Sequence, residues 1–182
     1  KILKNPQVVK AALIGFPTIE EGGNAASEII SSGIVPAGME IMDKALIEAT
    51  DNFSKAGYPR DAELLLIVEV DGTESEVDIL LKQVRSICEK NNCSSLKLSQ
   101  SEKERLSFWS GRKSAFPACG AMAPDYYCMD GVIPRGKLAE ALLEIKRLSE
   151  KYNLPVANCF HAGDGNLHPL IMYNGADKEQ FR

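Results

Sequence analysis

Glu63-Leu-Leu-Leu-Ile-Val-Glu-Val-Asp-Gly-Thr-Glu-Ser-Glu-Val77 decides the fold. Its first eight residues are dense in Leu, Ile and Val, the composition of a strand central in its sheet. Asp71-Gly72 turns the chain out of that strand, and Thr73 and Glu76 stand at the spacing of a capping box. Val77, Leu80, Leu81, Val84, Ile87 and Cys88 then recur at helical intervals as one apolar stripe. Ser94 to Leu98 reads as the next strand, which completes one β-α-β unit.

Similar signals lie on both sides. Towards the N-terminus, Val8 to Gly15 is a strand, and Thr18 and Glu21 make a second capping box for a helix carrying Ala25, Ala26, Ile29 and Ile30. Ile34 to Ile41 can be extended, and Pro36 marks it as an edge or irregular strand. Asp43 opens a helix whose apolar face is expected to be Ala45, Leu46, Ala49 and Phe53. Towards the C-terminus, Ser101 to Lys113 is helical and brings Arg105, Phe108, Trp109 and Arg112 to three- and four-residue spacings. Ala115 to Pro124 reads as loop, and Tyr126 to Ile133 as a strand interrupted at Asp130-Gly131. Leu138, Ala141, Leu142, Ile145 and Leu148 stripe one more helix. Strands alternating with helices predict the α+β class: ferredoxin-like β-α-β repeats in a mostly antiparallel sheet covered by helices.

The 182 residues are 45% hydrophobic and 25% charged, an ordinary globular balance. A net charge of -4 with scattered Lys and Arg argues against nucleic acid as a partner. The longest purely apolar run, Leu64 to Val68, is far below the roughly 18 residues a membrane helix requires, so no direct membrane insertion is expected. Five cysteines without a Cys-x-x-Cys pair fit reduced thiols in a cytoplasm. The chain starts at Lys1 without a methionine and stops at Arg182 in what reads as a helix start, so a longer protein is expected.

Both histidines of the chain lie in Asn158-Cys-Phe-His-Ala-Gly-Asp-Gly-Asn-Leu-His-Pro-Leu-Ile-Met-Tyr173. Two apolar runs, Val156 to Phe160 and Leu167 to Met172, flank an Asp-Gly, which signals a two-residue hairpin. In that register His161 stands directly opposite His168, about 5 Å apart at Cβ, with Asn166 and Cys159 on the same face. Phe160, Ala162, Leu167 and Ile171 point the other way, into a core. Two such imidazoles can chelate one metal, with a third ligand from elsewhere or from Cys159; equally, they can hydrogen-bond beneath a helix. Arg112 beside Trp109 can be a stacked surface cation.

Phe108-Trp-Ser-Gly-Arg-Lys-Ser-Ala-Phe-Pro-Ala118, Pro124-Asp-Tyr-Tyr-Cys-Met-Asp-Gly-Val-Ile-Pro-Arg135 and Phe160-His-Ala-Gly-Asp-Gly-Asn-Leu-His-Pro169 together resemble the C-terminal domain of FAD-linked 2-hydroxy-acid oxidases. Glu40-Ile-Met-Asp43 and Leu65 to Gly72 extend the resemblance over nearly the whole chain. It implies that residues 1–182 are a substrate or cap domain, with the FAD-binding domain and the extreme C-terminus outside it. It implies FAD as cofactor and a divalent metal (zinc, manganese or iron) on His161 and His168. Arg112 is implied to bind the substrate carboxylate, and Asn166 to be an active-site asparagine. A Gly-Glu-His-Gly-Ile-Gly segment, which would supply the third ligand, is expected beyond Arg182.

The implied reaction is oxidation of a small 2-hydroxy acid: glycolate to glyoxylate, or D-lactate as the alternative. Other oxidase subunits, one of them iron-sulfur, are implied as partners that associate a cytoplasmic complex with the inner membrane. Two readings from other classes compete: a ferredoxin-like module that binds a small ligand, and a metal-dependent hydrolase built on the two histidines.

Overall fold

The computed structural model describes residues 5–180. In chain order the elements are β1 (Val8–Phe16), α1 (Ile19–Ser31), β2 (Gly38–Asp43), α2 (Lys44–Ser54), β3 (Leu64–Gly72), α3 (Glu74–Lys90), β4 (Ser95–Leu98) and α4 (Glu102–Lys113). There follow α5 (Ala115–Cys119), β5 (Asp125–Cys128), β6 (Gly131–Val132), α6 (Leu138–Tyr152), β7 (Val156–His161) and β8 (Asn166–Tyr173). The strands form one sheet in the order β4-β1-β3-β2-β7-β8-β5, and β6 pairs with the start of β8. Every neighbouring pair is antiparallel. Helices α1 and α3 are crossovers that each leave one strand's width between the strands they join, so the expected β-α-β units are present.

The sheet is covered on both faces, which explains why β3 reads as a continuous apolar run. Leu64, Leu66, Val68 and Val70 pack with α1, α3 and α6, whereas Leu65 and Ile67 pack with α2, α4 and α5. The interruption, Glu69, faces the second layer: its Oε2 accepts from Arg105 Nη1 and from Trp109 Nε1, both at 2.6 Å. Of the two expected capping boxes, the one at Thr73 and Glu76 forms in full and the one at Thr18 and Glu21 only in its first half. Thr73 and Glu76 satisfy each other's backbone donors, and Thr18 Oγ1 accepts from Glu21 N.

Four expectations are corrected. Gly38–Asp43 lies in the interior of the sheet, between β3 and β7, because Pro36 precedes the strand and blocks no ladder bond. In α2 the buried residues are Leu46, Ile47, Thr50 and Asp51, while Phe53 is 57% exposed. The Asp51 carboxylate sets that phase, accepting from Gly57 N and Tyr58 N and pairing with Arg60, which pins the helix end to the following loop. Ala115–Cys119 is a short helix rather than loop. Its Pro117 sits in the first turn, where a missing N–H costs nothing. The hairpin register is the fourth.

At the C-terminal end, residues 178–180 form a turn. The helix start expected at Arg182 lies outside the described residues.

Candidate functional site

The loop between β7 and β8 has four residues, 162 to 165, not two. Ala162 N donates to Met39 O of β2, and Asp164 N and Gly165 N both donate to His161 O, which closes the wider turn. Asp164 Oδ1 accepts from Asn166 N, and Gly165 takes φ +80. A Cβ on Gly165 would stand 2.4 Å from Ile133 O, so only glycine fits there. In consequence His161 pairs with Asn166, and His168 pairs with Cys159. The directly opposed histidine pair is therefore corrected to a diagonal one. A slip of two residues preserves the face, and the rings still meet edge to face with centroids 5.2 Å apart.

A neighbouring strand supplies what the hairpin lacks. Glu40 on β2 is in register with His161 and is 8% exposed. Its Oε1 lies 2.6 Å from His161 Nδ1, and its Oε2 accepts from Arg112 Nε at 2.9 Å. Arg112 projects from the last turn of α4 with its side chain 13% exposed, held by a buried carboxylate rather than lying free on Trp109. Tyr58 fixes that turn, its hydroxyl donating to Phe108 O and accepting from Arg112 N.

The four residues expected at a site, Arg112, His161, Asn166 and His168, are thus brought together around a fifth, Glu40. In the sequence Glu40 stands only at the head of the Glu40-Ile-Met-Asp43 resemblance, with no role assigned to it. The available signal was an acid between two apolar residues in Gly38-Met-Glu-Ile-Met-Asp43, where its neighbours Met39 and Ile41 are buried. A cavity of about 510 Å³ opens beside Glu40 and His161, walled by residues 33–39, Arg135 and Asp164.

The site has spare polar capacity. Asn166 Oδ1 is buried without a hydrogen-bond partner among the described residues. His161 has its side chain 43% exposed, and His168 Nδ1 stands 3.8 Å from Asp130 Oδ1, too far for a hydrogen bond. Cys159 is not a plausible ligand: it is fully buried, and burial pushes its thiol up to about 12. Among the described residues no group of three or more His, Cys, Asp or Glu could hold a metal ion. The described residues thus offer two imidazoles and no complete ligand set. No described helix is long and apolar enough to cross a membrane.

The chain resembles known proteins along its whole length. The chain is 48% identical over its whole length to glycolate oxidase subunit GlcD of Escherichia coli K12, covering 36% of that protein. It is 31% identical to the mitochondrial D-lactate dehydrogenase [cytochrome] of Arabidopsis thaliana, again over all of this chain and 32% of the relative. The chain therefore spans about a third of the length of these curated relatives. Among solved structures, alkyldihydroxyacetonephosphate synthase shares the fold with a TM-score of 0.66 at 14% identity, over 93% of this chain and 37% of that one. p-Cresol methylhydroxylase gives the same score and identity over 96% and 41%. The model of the family described as FAD linked oxidases, C-terminal domain, matches residues 5–182, and the chain belongs to that family.

Proposed function

We propose that this chain is the substrate-side domain of an FAD-dependent 2-hydroxy-acid oxidoreductase that converts glycolate to glyoxylate, with D-lactate as the alternative substrate. The observation that carries the reading is the Arg112–Glu40–His161 chain of contacts, which sets a guanidinium beside two imidazoles. A planar guanidinium holds a carboxylate through two parallel hydrogen bonds. The hydroxyl of a 2-hydroxy acid lies one carbon from that carboxylate, so a substrate on Arg112 brings its hydroxyl towards His161 and His168. Asn166 Oδ1 offers beside them an acceptor that has no partner among the described residues.

The flavin, when bound, supplies the acceptor for the hydride. No glycine-rich phosphate loop occurs in this sequence, and we assign FAD binding to the part of the protein outside these residues. The antiparallel order β4-β1-β3-β2 with its two crossovers supports a ferredoxin-like cap over the flavin ring. A divalent metal (zinc, manganese or iron) on His161 and His168 remains part of the proposal, with its third ligand from outside the described residues. The relatives named as subunits support further oxidase subunits as partners, and the cysteine usage supports a cytoplasmic location.

The test uses the full-length protein. A flavin absorption spectrum that bleaches under anaerobic glycolate, faster than under D-lactate, is the expected result, and a chelator that blocks bleaching supports the metal. A colourless protein that binds a hydroxy acid would sink this reading and favour a binding module.

A further inference from the structure

We infer that Glu40 is the positioning residue of the site: one buried carboxylate selects the tautomer of His161 and aims the guanidinium of Arg112. The inference rests on the reading of Arg112 and His161 as the groups that meet substrate. Glu40 comes from β2, a strand outside the hairpin and outside α4, and its register opposite His161 is fixed by the β2–β7 ladder. Its residue is 8% exposed, and each of its oxygens is taken by a different partner. A carboxylate left there without partners would be strongly unfavourable, so the three side chains hold one another in place.

The two contacts have separate chemical consequences. An ionised carboxylate only accepts, so at 2.6 Å it selects the imidazole form with the proton on Nδ1 and leaves the Nε2 lone pair free for the site. On Arg112 the carboxylate occupies Nε. Among the described residues the side chain's hydrogen bonding stops there, so the two terminal nitrogens stay open as a fork for a second carboxylate. An ion pair that merely stabilised the fold would need neither the histidine nor the Nε edge.

Glu40→Gln separates these roles. Arg112 has no acceptor capacity, so the glutamine must turn its carbonyl oxygen to Nε and present its NH₂ to His161. His161 then has to accept at Nδ1, which moves its proton to Nε2 and its lone pair away from the site. The chain contains only two histidines, so ¹⁵N NMR resolves both rings without crowding. At a pH where both are neutral, the ¹⁵N-labelled full chain is expected to show His161 protonated on Nδ1. In Glu40→Gln the proton is expected on Nε2, with His168 unchanged as the internal control.

A wild-type His161 protonated on Nε2 overturns the inference without any variant, so a Glu40→Gln protein that fails to fold does not shelter it. A variant whose tautomer does not switch overturns it too. In the full-length protein the same substitution is expected to lower kcat/KM for glycolate by about 10- to 100-fold, the range for residues that orient a site's functional groups. A tautomer switch in a full-length protein that oxidises no hydroxy acid would support the positioning role and count only against the proposed reaction.

Discussion

The Tyr58 hydroxyl accepts the backbone N–H of Arg112 at 3.0 Å. It also donates to Phe108 O at 2.5 Å, so a residue from the loop after α2 bridges one i to i−4 step of α4 where the guanidinium leaves the helix. Tyr58→Phe removes that bridge from a buried position and is expected to cost about 1–3 kcal/mol. Gly111→Ala attacks the same contact from the other side, because its Cβ would lie 2.4–2.5 Å from the Tyr58 ring and hydroxyl. The alanine gains about 1 kcal/mol of helix propensity, but an overlap this deep with a buried ring costs more, up to about 3 kcal/mol. Urea unfolding of both variants should show net destabilisation; a Gly111→Ala protein more stable than wild type would place Tyr58 elsewhere.

Trp109 reports on the neighbouring cluster. Its Nε1 and Arg105 Nη1 share Glu69 Oε2, and Arg105 keeps Glu102 as a second partner. Glu69→Ala therefore leaves the indole N–H without its acceptor, at a cost of about 1–3 kcal/mol. As the sole tryptophan, Trp109 gives an unambiguous emission spectrum, and it is expected to shift red as the ring loosens into water. An unshifted spectrum would mean that packing alone holds the ring.

Asp43 makes stability depend on pH in an uncommon direction. It caps α2 through Leu46 N and accepts from Asn158 N and Nδ2, yet burial pushes its carboxyl up to about 6, above its ordinary 3.8. The folded state therefore holds this proton more tightly than the unfolded chain does. The contribution is fully present below about pH 4, declines as pH rises through 6, and amounts to about 3 kcal/mol at roughly 1.4 kcal/mol per pH unit. Asp43→Asn keeps a capping oxygen and removes the titration. Chemical unfolding between pH 4 and 7 should show wild type losing stability relative to Asp43→Asn; parallel profiles would mean that Asp43 titrates normally.

Much of this was legible in the sequence because it is encoded locally. The β3–α3 unit, the Thr73–Glu76 capping box, the Thr18 N-cap and the apolar stripes follow from spacings within about four residues. The face shared by His161, Asn166 and His168 was also legible, since a two-residue slip in the turn preserves alternation. What stayed hidden depends on contacts distant in sequence. The wider turn forms because Ala162 bonds to Met39, 123 positions away, and the phase of α2 follows Asp51's bonds to a loop. The role of Glu40 was hidden for the same reason: in sequence it is an acid between apolar neighbours, and only strand order places it between Arg112 and His161.

Arg112 has two tasks, and the choice of substitution decides which one is read. Arg112→Ala leaves the Glu40 carboxylate, 11% exposed, without its cation, a loss expected to cost about 3–5 kcal/mol. Lost activity in that variant would therefore confound unfolding with chemistry. Arg112→Lys keeps the charge and offers Glu40 a donor, so a stability loss of only about 1 kcal/mol is expected. A single ammonium, however, cannot serve Glu40 on one edge and a substrate carboxylate on the other, as a guanidinium can. The full-length Arg112→Lys protein should thus fold and show a KM for glycolate raised by at least about tenfold, the equivalent of 1.4 kcal/mol of carboxylate binding. Unchanged KM in a folded Arg112→Lys protein would show that the carboxylate is held elsewhere, with Arg135 on the wall of the adjoining cavity the next residue to substitute.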